Sequence, residues 1–175
     1  MASQRIVASK QLPFPVNCKC GKCGAINGHV INIQVSGSGI MGGSPFGRKE
    51  RAEAEAQQHL LQNMAYHIES LYKECDKKSS RLYMLMNGAS CPACGEKYAW
   101  TKILEEAAAN KPKGLFAGLS KKAKEGKKQT EEALGNIAQE LYPVPALSKD
   151  ELIKQCGLEG VKAEPDMETM FIYMN

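Results

Sequence analysis

The chain has 175 residues, 43% of them hydrophobic and 24% charged, a composition that fits one soluble globular domain or one domain plus an appendage. A formal net charge of +4 is too small by itself to imply a nucleic-acid partner. No apolar run is long enough to span a bilayer, and the opening "MASQRIVASKQLPFPVN" lacks the uninterrupted apolar stretch of a secretory signal, so a cytoplasmic setting is expected.

The seven cysteines are an odd number and they cluster. Cys18, Cys20 and Cys23 lie together, as do Cys91 and Cys94, while Cys75 and Cys156 stand alone. In a reducing compartment such a set is not read as a disulfide framework. In chain order, "KQLPFPVNC" predicts a short edge strand, because Pro13 and Pro15 donate nothing to a ladder on one side. It runs into "CGKCG", Cys20 to Gly24. Two residues between the cysteines let a tight turn bring both sulfurs to one metal ion and aim backbone N–H groups at the thiolates. The glycine that follows suits a positive φ. "GHVINIQV" then alternates, with Ile31, Ile33 and Val35 on one face and Asn32 and Gln34 on the other. That is the pattern of a half-buried antiparallel strand.

"SGSGIMGGSPFG" places Gly37-x-Gly39-x-x-Gly42 between a strand and a helix, the setting demanded of a dinucleotide fingerprint. The preceding strand is half polar, however, and the strand expected after the helix carries no acidic residue for a ribose. No P-loop lysine follows either. The stretch is therefore read as a loop ending at Ser44, an N-cap with Pro45 at the first helical position. A helix is expected from about Pro45 to Cys75. Its first half is rich in Ala, Glu and Arg and reads as mostly solvated. Its second half carries a stripe of Leu60, Leu61, Met64, Ile68, Leu71, Tyr72 and Cys75 for packing on the sheet. His59 and His67, eight positions apart, do not form a chelating pair on a helix.

"RLYMLMNGAS" predicts a returning strand, which delivers the second knuckle, "CPACG", Cys91 to Gly95. Pro92 pre-sets φ for its turn. The repeated C-x-x-C-G supplies four thiolates, Cys20, Cys23, Cys91 and Cys94, the tetrahedral donor set of one structural Zn2+. Cys18 lacks the knuckle spacing. In an extended run it points the same way as Cys20, and it is read as a spare thiol at the strand end, with ligand exchange or a redox role as alternatives.

Beyond the knuckle, Trp100, Ile103, Leu104, Ala107 and Ala108 fit a short helix to about Asn110, with Trp100 as core. Residues 111–128 form a basic block in which Lys111, Lys113, Lys121, Lys122, Lys124, Lys127 and Lys128 face Glu125 alone. Such a block can be a solvated linker, or an amphipathic helix lying on an anionic membrane or a phosphate backbone. "QTEEALGNIAQELYP" is amphipathic through Leu134, Ile137 and Leu141 and stops at Pro143. "YPVPA" reads as a stiff spacer. "SKDELIKQCG" is a compact helix with a capping box, Ser148 with Glu151, and Gly157 as its stop. The tail "METMFIYMN" reads as an apolar extended segment.

The knuckle pair resembles the zinc ribbon family over Cys20–Gly24 and Cys91–Gly95. That likeness implies a small antiparallel ribbon, here interrupted by a long helical insertion. Rubredoxins use the same knuckle pair, including C-P-x-C-G, to hold iron, so spacing alone does not separate Fe from zinc. Rubrerythrin-like proteins add E-x-x-H helices, and neither His59 nor His67 has a Glu three residues before it. The expected fold class is α+β: a small zinc-ribbon sheet, a long inserted helix packed on it, and a helical C-terminal region. The expected domains are 1–110, with knuckles at 20–24 and 91–95 and the helix at about 45–75, then a linker or amphipathic helix at 111–128, then 129–175. No catalytic constellation is found and no small-molecule substrate is inferred. The expected function is a non-catalytic adaptor with a protein partner. The alternative is a nucleic-acid accessory module using Lys111–Lys128 with Lys19, Lys22 and Lys97. A weaker alternative is an iron or thiol redox protein.

Overall fold

The computed structural model describes residues 4–41, 47–111 and 121–165. Its elements in chain order are β1 (Arg5–Lys19), β2 (Ile26–Ile40), α1 (Arg48–Asp76), α2 (Ser80–Leu85), α3 (Ala99–Ala109), α4 (Lys121–Leu141), β3 (Val144–Pro145) and α5 (Lys149–Gln155). The fold is α+β, with a three-stranded antiparallel sheet in the order β2-β1-β3. The chain divides into two compact units. One comprises residues 1–14, 32–72 and 147–175, and the other residues 15–31 and 73–146. The two long strands and α1 are each shared out between them.

In the first unit α1 packs through Leu60, Met64, Ile68 and Leu71, in company with Leu12, Phe14 and Val35, all buried. Phe14 meets Tyr72 edge-on at 5.5 Å, and the Tyr72 hydroxyl donates to Leu147 O at 2.6 Å. One expectation is corrected here. The Gly37–Gly39 stretch is not loop but the end of β2, and the mostly solvated first half of α1 buries Ala52 and Ala56. The cause is one close contact. A Cβ at Gly37 would run into Leu60 N and Ala56 O, and one at Gly39 into Ala52 O. The glycines therefore let helix backbone lie against strand backbone, which is why alanines face them. Leu61, expected in the stripe, is 37% exposed.

α1 also covers an edge. β2 lies at the margin of the sheet, and a bare edge invites pairing with other chains. Glu55, His59 and Asn63 recur every four residues and so share one face of the helix. The Glu55 carboxylate accepts from Ile40 N at 3.0 Å, His59 Nδ1 donates to Ser38 O at 2.6 Å, and Asn63 Nδ2 donates to Ser36 O at 2.7 Å. α5 closes this unit with the expected capping box. Glu151 N donates to Ser148 Oγ, Ser148 N donates to Glu151 Oε2 at 2.8 Å, and Gly157 terminates the helix at φ 68°.

In the second unit three more expectations change. β1 is the middle strand, not an edge, although the proline argument keeps its force. Pro15 O accepts from Ala146 N at 2.9 Å, so the side of β1 that carries the proline nitrogens faces β3. The pairing there is only Val16 with Pro145 and Asn17 with Val144. "YPVPA" is thus the third strand rather than a spacer. "RLYMLMNGAS" is not a strand but α2, capped by Ser79, whose side chain accepts from Arg81 N. Leu82 and Tyr83 on it and Met86 at its C-cap are buried, while Met84 is 54% exposed. That is helical spacing, not alternation. Trp100, on α3, is fully buried. Trp100 stacks on Tyr98 at 4.5 Å and lies 5.3 Å from Tyr83. Its Nε1 donates to Met86 O at 3.3 Å. The segment 111–128 enters α4 at Lys121. Residues 112–120 and the tail from 166 onward lie outside the described residues.

Candidate metal centre

The two knuckles repeat one backbone pattern. In the first, Cys20 N donates to Ala25 O at 2.9 Å and Gly24 N donates back to Cys20 O at 2.9 Å. In the second, Cys91 N donates to Glu96 O at 2.8 Å and Gly95 N donates to Cys91 O at 2.8 Å. Each turn is completed by a glycine in the left-handed region, Gly24 at φ 74° and Gly95 at φ 70°, where a side chain is strained. The first knuckle joins β1 to β2. The second is the tip of a hairpin with a single bridge, Ser90 to Lys97, leading into α3.

Together they bring the sulfurs of Cys20, Cys23, Cys91 and Cys94 within 4.8 Å of one another. The closest approaches cross between the knuckles: Cys20 to Cys94 at 3.8 Å and Cys23 to Cys91 at 3.7 Å. A regular tetrahedron with metal–sulfur bonds of about 2.3 Å has edges of about 3.8 Å. A disulfide would need about 2.05 Å. The four sulfurs therefore fit a tetrahedral metal ion and can hold one. Cys20 and Cys91 are buried, and Cys23 and Cys94 are exposed, so one side of the cluster is dry and the other meets solvent.

The knuckle backbone prepares the thiols for ionisation. The N–H groups of Cys23 and Lys22 pull Cys20 below the ordinary thiol value. At Cys91, burial pushes the thiol up, but the N–H groups of Cys94 and Ala93 and the neighbouring thiols outweigh it and bring it to about 6. Cys94 goes the other way. The Glu96 N–H pulls it down, yet burial and the thiols of Cys23, Cys20 and Cys91 together raise it to about 11. Four sulfurs this close do not all ionise without a cation among them.

An ion-pair chain runs across the outer surface of the knuckles. Lys22 reaches Glu96 at 2.8 Å, Lys102 also pairs with Glu96, and Lys97 pairs with Glu105 at 2.7 Å. Held first by Lys102 and then by Lys22, the Glu96 carboxyl falls to about 2. Two of the three knuckle lysines expected for phosphate contact, Lys22 and Lys97, thus already face carboxylates, while Lys19 is exposed.

Cys18 stands outside the sulfur set. It shares the inner face of β1 with Cys20 but is fully buried, where its Sγ lies 3.7 Å from Met86 Sδ. Burial pushes its thiol up to about 12. Lys121, Lys122, Lys124, Lys127 and Lys128 are exposed along the first turns of α4, and Lys128 pairs loosely with Glu132 at 3.9 Å.

Three side chains around the cluster are absent from the sequence reading. Asn27 Nδ2 donates to Cys91 Sγ at 3.3 Å, and His29 Nε2 meets the Tyr98 hydroxyl at 2.7 Å. A signal existed. Asn27 and His29 continue, backward by twos, the buried face that carries Ile31, and polar residues on a core face call for partners. No helix among the described residues is long and apolar enough to cross a membrane. No protein-family model, curated protein or solved structure matches this chain.

Proposed function

We propose that the chain is a zinc-stapled adaptor, a non-catalytic zinc-ribbon-like protein whose ion fastens two knuckles far apart in sequence. The observation that carries this reading is the four-sulfur cluster, with cross-knuckle separations of 3.8 and 3.7 Å. Four thiolates complete a tetrahedral shell and leave no position for a substrate, which favours a structural ion over a catalytic one. Seven cysteines with no disulfide among them suit a reducing, cytoplasmic setting. A protein partner is supported by the outer sheet face of the second unit. There Ile26, Val30 and Val144 are 70, 56 and 59% exposed, an apolar grouping of the kind that marks contact surfaces.

The second reading is a nucleic-acid accessory module, favoured by the five exposed lysines at the start of α4. A thiol redox role has little support, because buried Cys18 stays protonated at neutral pH and the thiolate is the reactive form. Elemental analysis of the purified protein tests the core of the proposal. One zinc per chain is expected, and stoichiometric iron would replace the reading with a rubredoxin-like centre. Nucleic-acid binding that weakens steeply with salt, and is lost when the α4 lysines are neutralised, would favour the second reading.

A further inference from the structure

The geometry points to Asn27 as the positioning residue of the metal centre: its side-chain amide clamps Cys91 Sγ from the dry side, beside the Tyr98–His29 pair. The inference rests on the reading of Cys20, Cys23, Cys91 and Cys94 as metal ligands. It adds a donor that belongs to neither knuckle.

Alternation turns Asn27, His29 and Ile31 toward the interior of the second unit. An amide and an imidazole on that face cost folding free energy unless each finds a partner. Asn27 finds Cys91 Sγ at 3.3 Å, within reach of an N–H···S bond. Beside it the Tyr98 hydroxyl pairs with His29 Nε2 at 2.7 Å, and that hydroxyl is also within electrostatic reach of the Asn27 amide. The Tyr98 ring is itself fixed, stacked on Trp100 at 4.5 Å and 8° and set edge-on to His29 at 5.4 Å. The sulfur–amide bond thus lies beside a packed phenol–imidazole pair.

Its chemical effect is specific to Cys91. This sulfur is buried and out of reach of the water that screens Cys23 and Cys94. An N–H···S bond draws electron density from the thiolate. It makes the sulfur harder to protonate and less reactive toward oxidants, and it fixes the direction of its lone pairs toward the ion. Side chains behind a metal ligand act this way generally, and their removal typically costs about 10–100-fold in metal affinity.

The test uses the full chain loaded with zinc, and in parallel with Co2+, whose thiolate charge-transfer bands report sulfur donation directly. Asn27→Ala should release zinc to a chromogenic chelator about 10-fold faster than the native chain and shift the cobalt charge-transfer bands. Asn27→Asp, which keeps the shape but sets a carboxylate against the thiolate, should release it faster still. Tyr98→Phe should give a smaller acceleration, because the amide keeps its sulfur but loses the hydroxyl beside it. Far-UV circular dichroism establishes that each variant is folded, and Asn27→Asp serves if Asn27→Ala is not. Folded Asn27 variants with the native release rate and unshifted cobalt bands would overturn the inference. A native chain that takes up neither zinc nor cobalt would instead overturn the metal reading beneath it.

Discussion

Gly39 illustrates how much a missing side chain can decide. Its Cα hydrogen faces the backbone of Ala52 so closely that any Cβ must displace the helix. Gly39→Ala should lower stability by roughly 1–3 kcal/mol, the usual range for overpacking, measured as a drop in the urea midpoint. Gly126 on α4 provides the contrast, with no heavy atom within 4 Å of its added Cβ. There Gly126→Ala should raise stability by about 0.5–1 kcal/mol, because alanine loses less backbone freedom in a helix. Cys18 yields a pH prediction. Burial raises its thiol from 9.0 to about 12, so the fold favours the protonated form. The stability it lends is complete below the unfolded value of 9.0 and is lost as pH climbs through about 12. Melting followed between pH 8 and 11 should show a decline that Cys18→Ala lessens. At this scale the cysteines were legible, because two identical turns need identical residues. Asn27 was not, because its partner lies 64 positions away.

Among the elements, α5 was read in full from "SKDELIKQCG". Its cap, its first-turn acids and its terminal glycine are all local chemistry. Ser148→Ala should remove the cap bond to Glu151 N and cost about 1 kcal/mol, seen as a lower melting temperature with an unchanged fold. α2 was misread because "RLYMLMNGAS" alternates acceptably as a strand. What decides the matter is the Ser79 cap and the aromatic wall of Trp100 and Tyr142 against which Tyr83 packs. Neither is visible within a ten-residue window. β3 was missed for a similar reason. Two residues joined to β1 through Pro15 O carry no periodicity at all. The polar row of Glu55, His59 and Asn63 takes its role from the margin of β2, which the helix sequence alone does not show.

For the molecule as a whole, an ion held by the four sulfurs would dominate the second unit. Structural zinc contributes on the order of 10–16 kcal/mol to folding, comparable with or larger than the about 5–15 kcal/mol net stability of a typical protein. The chain's single tryptophan, Trp100, is buried in that unit and so reports on it. Chelation, or Cys94→Ser, should shift its emission to the red. Unchanged emission after complete metal removal would show that the ion is dispensable for the fold. The sequence exposed this organisation through its two knuckles. The division of β1, β2 and α1 between two units was invisible in it, since continuous elements give no sign of where their contacts change partners. The separation of the knuckles also sets an order of events during synthesis. Cys23 precedes Cys91 by 68 positions, and at about 5–20 residues per second the first half-site leaves the ribosome several seconds before its complement. Throughout that interval a nascent chain offers two uncommitted sulfurs to whatever metals and oxidants surround it.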